Sequence, residues 1–162
     1  MRRAVVTPQP WTSPSQPMSE EPADSLSRGP VDTTLLDRIA THLRGSTRFN
    51  RIERQPAYAP NAVIADYDLG YFPGGIERAY LRLRWFETDD FSIHYAEQYR
   101  SGDSWECRWD RHPNDHNARE HFHPPPDATT PGADETYADE WRDVLTTILT
   151  RLDDRIEAFW TD

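Results

Sequence analysis

Apolar positions along the chain switch between two spacings, and each spacing predicts a different kind of element. Near the start, Leu35, Leu36, Ile39 and Leu43 recur at helical intervals, with Asp32 placed to cap the first turn and Gly45 suited to the C′ position. The spacing then falls to two. Ala62 to Leu69 forms a short mixed run, and the Phe72–Gly75 turn (FPGG) separates it from Ile76 to Glu87. There, Ala79, Leu81, Leu83 and Trp85 share one face, and Tyr80, Arg82, Arg84 and Phe86 share the other. Phe91, Ile93, Tyr95 and Tyr99 repeat the alternation after the Thr88–Asp90 turn. After Ser101-Gly102-Asp103, Trp105, Cys107 and Trp109 point one way, and Glu106, Arg108 and Asp110 the other. Turns this short predict an antiparallel meander.

The alternation stops after Asp110. His112 to His123 has no clear period, Pro124-Pro125-Pro126 prevents a helix directly after it, and Asp127 to Glu135 reads as a loop. Helical spacing returns in Trp141, Val144, Leu145, Ile148, Leu149, Leu152, Ile156 and Phe159. The predicted class is therefore α+β: an N-terminal helix, an antiparallel sheet of four to five strands, and a long C-terminal helix packed on one face. Residues 1–30 are rich in Pro, Ser and Glu and poor in large apolar side chains, which predicts a disordered tail before a single domain spanning 31–162.

Charge changes the picture of partners. Asp and Glu total 28 against 18 basic residues, for a formal net charge of -10, and every basic residue is Arg. A Lys-free acidic chain fits a GC-rich genome and adaptation to high salt, where a carboxylate surface keeps a protein soluble. Long-range attraction to nucleic acid is disfavoured, although a local Arg cluster still permits it. Cys107 is the single cysteine, so an internal disulfide and a CxxC zinc pattern are both excluded. The start carries no apolar run of a signal peptide and no stretch approaches a membrane span, so a cytoplasmic protein without membrane contact is expected.

Four of the six histidines lie in one stretch, as His112, His116, His121 and His123, following Arg108 and Asp110. Histidine can take and give a proton near neutrality, so this grouping suits acid/base chemistry. Cleavage of RNA is one reaction it could run without a metal. One histidine would deprotonate the 2′-hydroxyl and another would protonate the leaving oxygen. Arg108 would stabilise the charged phosphorus centre, and Asp110 would orient an imidazole. Arg82 and Arg84 are candidate substrate-binding residues, although a solvated strand face is the default reading of both. Zinc is the rival reading: His121 and His123, two apart on an extended segment, could chelate one ion, with His112 or His116 and Asp110 or Asp115 completing the set. Loop composition alone is the third. Trp109 is expected to pack beneath the site, Cys107 to be a buried, inert thiol, and His94 and His42 to be surface residues.

The order of these features resembles the TumE-type toxins, toxin components of toxin–antitoxin pairs. The matching residues are Tyr95 and Tyr99-Arg100, then Arg108-Trp109-Asp110, then His112-Pro113 and His116, then His121-Phe122-His123. The likeness spans roughly Thr33 to Trp160. Arg111 stands where the family has Asn, the histidines between the two motifs are displaced, and Phe122 interrupts the closing one. The resemblance implies a growth-inhibiting toxin with ribonuclease activity, held in check by a cognate antitoxin that carries a DNA-binding domain. The alternative is a non-catalytic regulatory or metal-binding module built on the same loop.

Overall fold

The computed structural model describes residues 29–161. The tail expected to be disordered therefore lies almost wholly outside the described residues. Helix α1 (Thr33–Arg44) is followed by strands β1 (Phe49–Gln55), β2 (Ala62–Tyr67), β3 (Ile76–Trp85), β4 (Phe91–Tyr99), β5 (Ser104–Arg111), β6 (Glu120–His123) and β7 (Ala133–Asp134), and helix α2 (Trp141–Ala158) closes the chain. The strands form one sheet in chain order, and each neighbouring pair is antiparallel.

The class and the meander agree with the sequence pattern, but the sheet has seven strands rather than four to five. The additional strands are those with little apolar alternation. Strand β1 (FNRIERQ) is an edge strand whose Phe49 and Ile52 are only partly buried. Strands β6 and β7 fall in segments expected to be loops. They are four and two residues long, and they owe their extended form to pairing with β5 and with each other. A ladder hydrogen bond needs only a neighbour with free backbone groups, and it leaves no periodic trace in so short a segment.

Helix α1 begins as expected: the Asp32 side chain accepts from the Leu35 amide at 2.9 Å. Its end differs. Gly45 is itself the C-cap, in right-handed conformation at φ -76°, so the left-handed freedom of glycine is not used there. Both helices bury their apolar stripes against the same face of the sheet. Leu36, Ile39, Ala40 and Leu43 of α1 join Trp141, Val144, Leu145, Ile148, Leu149 and Leu152 of α2 in one core with Val63, Ala65, Leu81, Leu83, Ile93, Tyr95, Cys107 and Trp109. Each such large side chain contributes roughly 1.5–3 kcal/mol of burial, which holds α2 to the sheet.

This arrangement leaves the other face without a helix layer. Antiparallel sheets tolerate that when the second face is polar, and here it carries Arg78, Arg82, Arg84, His94, Arg108 and Asp110.

Candidate functional site

The alternation of β5 puts Arg108 and Asp110 on the uncovered face, while Trp109, 2 % exposed, points into the core beneath them. The β5–β6 register sets Arg108 opposite His123 and Asp110 opposite His121. His112, just beyond β5, keeps the same parity. The expected stretch thus folds into a buried cluster: Asp110 is 0 % exposed, His121 1 %, His112 2 % and His123 4 %. His116 is exposed and stays outside it, its backbone amide donating to Asn114 Oδ1.

The three clustered imidazoles are held alike. His112 Nδ1 lies 2.9 Å from the Pro113 carbonyl, His121 Nδ1 3.0 Å from the Ala118 carbonyl, and His123 Nδ1 2.9 Å from the Thr129 carbonyl. A carbonyl only accepts, so the hydrogen bonding assigns the proton to Nδ1 in each ring and leaves Nε2 a lone pair when the ring is neutral. All three Nε2 atoms face one atom, Asp110 Oδ2, at 3.5 Å from His112, 3.7 Å from His121 and 3.2 Å from His123. The other carboxylate oxygen, Oδ1, is buried and has no hydrogen-bond partner.

Arg108 completes the group. Its Nε donates to Asp110 Oδ2 at 2.7 Å, and its Nη2 reaches His123 Nε2 at 3.0 Å. Burial pushes the Asp110 carboxyl up, but His112, His123 and the Arg108 guanidinium outweigh it and hold the group well below the usual carboxylate range. Burial pushes His121 down, against the pull of Asp110, which favours its neutral form. Asp110, His121 and His123 each offer one ligand atom, all within 4.8 Å of one another, and these residues could hold a metal ion.

Arg82 and Arg84 lie on the same face. The ladders align Arg82, His94, Arg108 and His123 in one row across β3 to β6, and Arg84, Ser92, Asp110 and His121 in the next. His94, expected to be a simple surface residue, is half-buried and lies 2.7 Å from Glu106. His42 is exposed, its ring edge-on to Trp141. Cys107 is buried as expected, and burial raises its thiol to about 12.

Sequence reasoning missed three residues that position this site. Arg111 is 2 % exposed and donates to Glu120 at 2.8 Å and to the Ala138 carbonyl at 2.6 Å, tying β5 to β6 and to the approach to α2. Tyr137 donates its hydroxyl to the His121 carbonyl at 2.7 Å. Asn117 clasps Gly132, donating to its carbonyl at 2.8 Å and accepting from its amide at 3.0 Å. Only Arg111 had a sequence signal: its parity in β5 puts a charge on the apolar face, which requires a buried partner.

The family model described as Toxin TumE matches residues 36–156, about three quarters of the chain. The chain belongs to the TumE toxin family. The match spans both helices' apolar stripes, all seven strands and every clustered residue. No curated protein and no solved structure matches this chain. Membership in a TumE toxin family implies an antitoxin partner. Among the described residues, no helix is long and apolar enough to cross a membrane.

Proposed function

We propose that this TumE family member is the toxin of a toxin–antitoxin pair, and that it binds RNA on its uncovered sheet face and cleaves it at the Asp110/His121/His123/Arg108 cluster. The observation that carries this reading is the row Arg82, His94, Arg108, His123. With strands about 4.8 Å apart, the row stretches about 14 Å across the face and ends at the cluster. A line of guanidinium and imidazole groups is suited to phosphate contacts even in an acidic protein, because local charge dominates once salt screens the net field. Asp66 and Glu106, the acidic groups nearby, are already engaged by Arg78 at 2.6 Å and His94 at 2.7 Å.

In the cleavage step, the 2′-hydroxyl gives its proton to a neutral imidazole, and the resulting oxyanion attacks the adjacent phosphorus. The 5′-oxygen then leaves with a proton returned by a second imidazole. A 2′,3′-cyclic phosphate and a free 5′-hydroxyl result. His121, favoured neutral, is the base; His123, in the form protonated at Nε2 with the Arg108 contact released, is the proton donor; and Arg108, freed from it, stabilises the charge on phosphorus. Because Asp110, His121 and His123 are each under 5 % exposed, the substrate reaches them only if the neighbouring chain moves aside. That same burial supports a second reading, a non-catalytic regulatory module in which the cluster serves structure alone. The partner in either case is a cognate antitoxin with a DNA-binding domain.

Induced expression in a salt-adapted host separates the two. The intact chain is expected to arrest growth and fragment RNA, leaving cyclic phosphate ends. Arg82→Ala/Arg84→Ala and Arg108→Ala should each lose both effects at matched protein levels. Arrest with intact RNA would overturn the ribonuclease reading.

A further inference from the structure

We infer that Asp110, His121 and His123 form a three-residue binding site for one divalent transition-metal ion of the zinc class. The inference goes beyond RNA cleavage: an ion bound here takes the Nε2 lone pairs of His121 and His123, so the acid/base roles proposed above belong to the metal-free protein.

The cluster holds an electrostatic mismatch. Three imidazole Nε2 atoms converge on a single carboxylate oxygen at 3.2–3.7 Å. When a ring is neutral its Nδ1 proton goes to a backbone carbonyl, so in the neutral forms the Nε2 lone pairs face an oxygen that also carries lone pairs. That arrangement repels itself unless a positive centre lies between the atoms. Proton sharing is a poor remedy for His121, whose Nε2 is 3.7 Å from Asp110 Oδ2, beyond hydrogen-bond reach.

The spacing is also compatible with a shared ion. In a tetrahedral site with metal–ligand bonds of about 2.0–2.1 Å, neighbouring ligand atoms stand about 3.3 Å apart. The His123 distance to Asp110 Oδ2, 3.2 Å, is close to that value, His121 at 3.7 Å is a small closure away, and the ligand atoms of Asp110, His121 and His123 all lie within 4.8 Å of one another. The outer contacts are also those of a metal centre. Each imidazole donates its remote N–H to a carbonyl, which fixes the ring and raises its basicity. Nitrogen and carboxylate donors with no thiolate favour zinc or a neighbouring divalent ion over calcium or magnesium.

Arg108 makes the mismatch tolerable in the metal-free fold. It touches both Asp110 Oδ2 and His123 Nε2, so its guanidinium supplies positive charge at the cluster. It is about one-third exposed and can swing outward when an ion enters.

The test uses the full chain without a histidine tag, stripped with chelator and titrated with Zn²⁺ and with Co²⁺. One equivalent per chain is expected, with the visible absorption of tetrahedral cobalt. Asp110→Asn and His121→Ala/His123→Ala should weaken binding by more than the ~10–100-fold typical of losing an outer-shell contact. Arg108→Gln should bind at least as tightly as wild type, and the exposed His116→Ala should bind equally. Circular dichroism identifies variants that fold; if the double histidine variant does not, the isosteric Asp110→Asn decides. No stoichiometric binding by the folded wild type, or undiminished binding by folded Asp110→Asn, would overturn the inference. RNA cleavage measured on the same preparations reads the ribonuclease proposal separately.

Discussion

His121 stands directly across the β5–β6 ladder from Asp110, yet its Nε2 stops 3.7 Å short of the Asp110 carboxylate. The pair is aligned by backbone pairing and held by other partners: the Ala118 carbonyl fixes the imidazole, and the Arg108 guanidinium binds the carboxylate. The two groups are brought together without bonding to each other, which sets the pH behaviour of the fold.

Metal-free protein should lose stability on mild acidification. His121 has its pKa lowered from 6.5 in the fold, chiefly by burial, so the folded state binds its proton less readily than the unfolded state does. Its contribution is present in full above the unfolded pKa and is lost as pH falls from there through the folded value. Urea midpoints of chelator-treated protein should therefore drop as pH falls below about 6.5. His121→Asn should show a shallower fall over the same window. Parallel wild-type and variant curves would show that His121 does not carry the effect.

Glu97 gives a prediction on the opposite face. It is 0 % exposed within the core, where Tyr95 and Tyr99 donate at 3.0 and 3.1 Å and Arg155 of α2 donates at 2.8 and 2.6 Å. Arg155→Met would leave a buried carboxylate with the tyrosines alone, at a cost of about 3 kcal/mol. Glu97→Gln/Arg155→Met removes the stranded charge and should recover much of that loss. Chemical denaturation of the single and double variants measures both; a double variant no more stable than Arg155→Met would refute the account.

Gly132 tests the support of the histidine strand. A Cβ there would meet the Phe122 carbonyl oxygen at 2.5 Å, and Phe122 lies between His121 and His123. Gly132→Ala should push β6 aside and cost about 1–3 kcal/mol, as overpacked sites do. Gly74→Ala, where nothing lies within 4 Å of an added Cβ, is the control and should be nearly neutral. Equal denaturation midpoints for the two variants would mean that β6 yields without strain.

The sequence by itself determined the elements whose apolar periodicity is long enough to read. Both helices follow from spaced leucines and isoleucines, and β3, β4 and β5 from strict alternation, because burial on one side imposes a period on the residues that supply it. It also placed Trp109 and Cys107 in the core and marked Arg108, Asp110 and the histidine stretch for chemistry. Parity in β4 could have shown Glu97 on the core side, but its half-buried partner Arg155, 58 residues away in α2, could not be read. Only the tertiary structure made β1, β6 and β7 strands, since their extension comes from a neighbour's backbone groups. It also chose among four histidines of one stretch, turning His112, His121 and His123 inward and leaving His116 in solvent. That choice rests on three backbone carbonyls, at Pro113, Ala118 and Thr129, and carbonyls are the same in every residue, so no side-chain pattern could announce it.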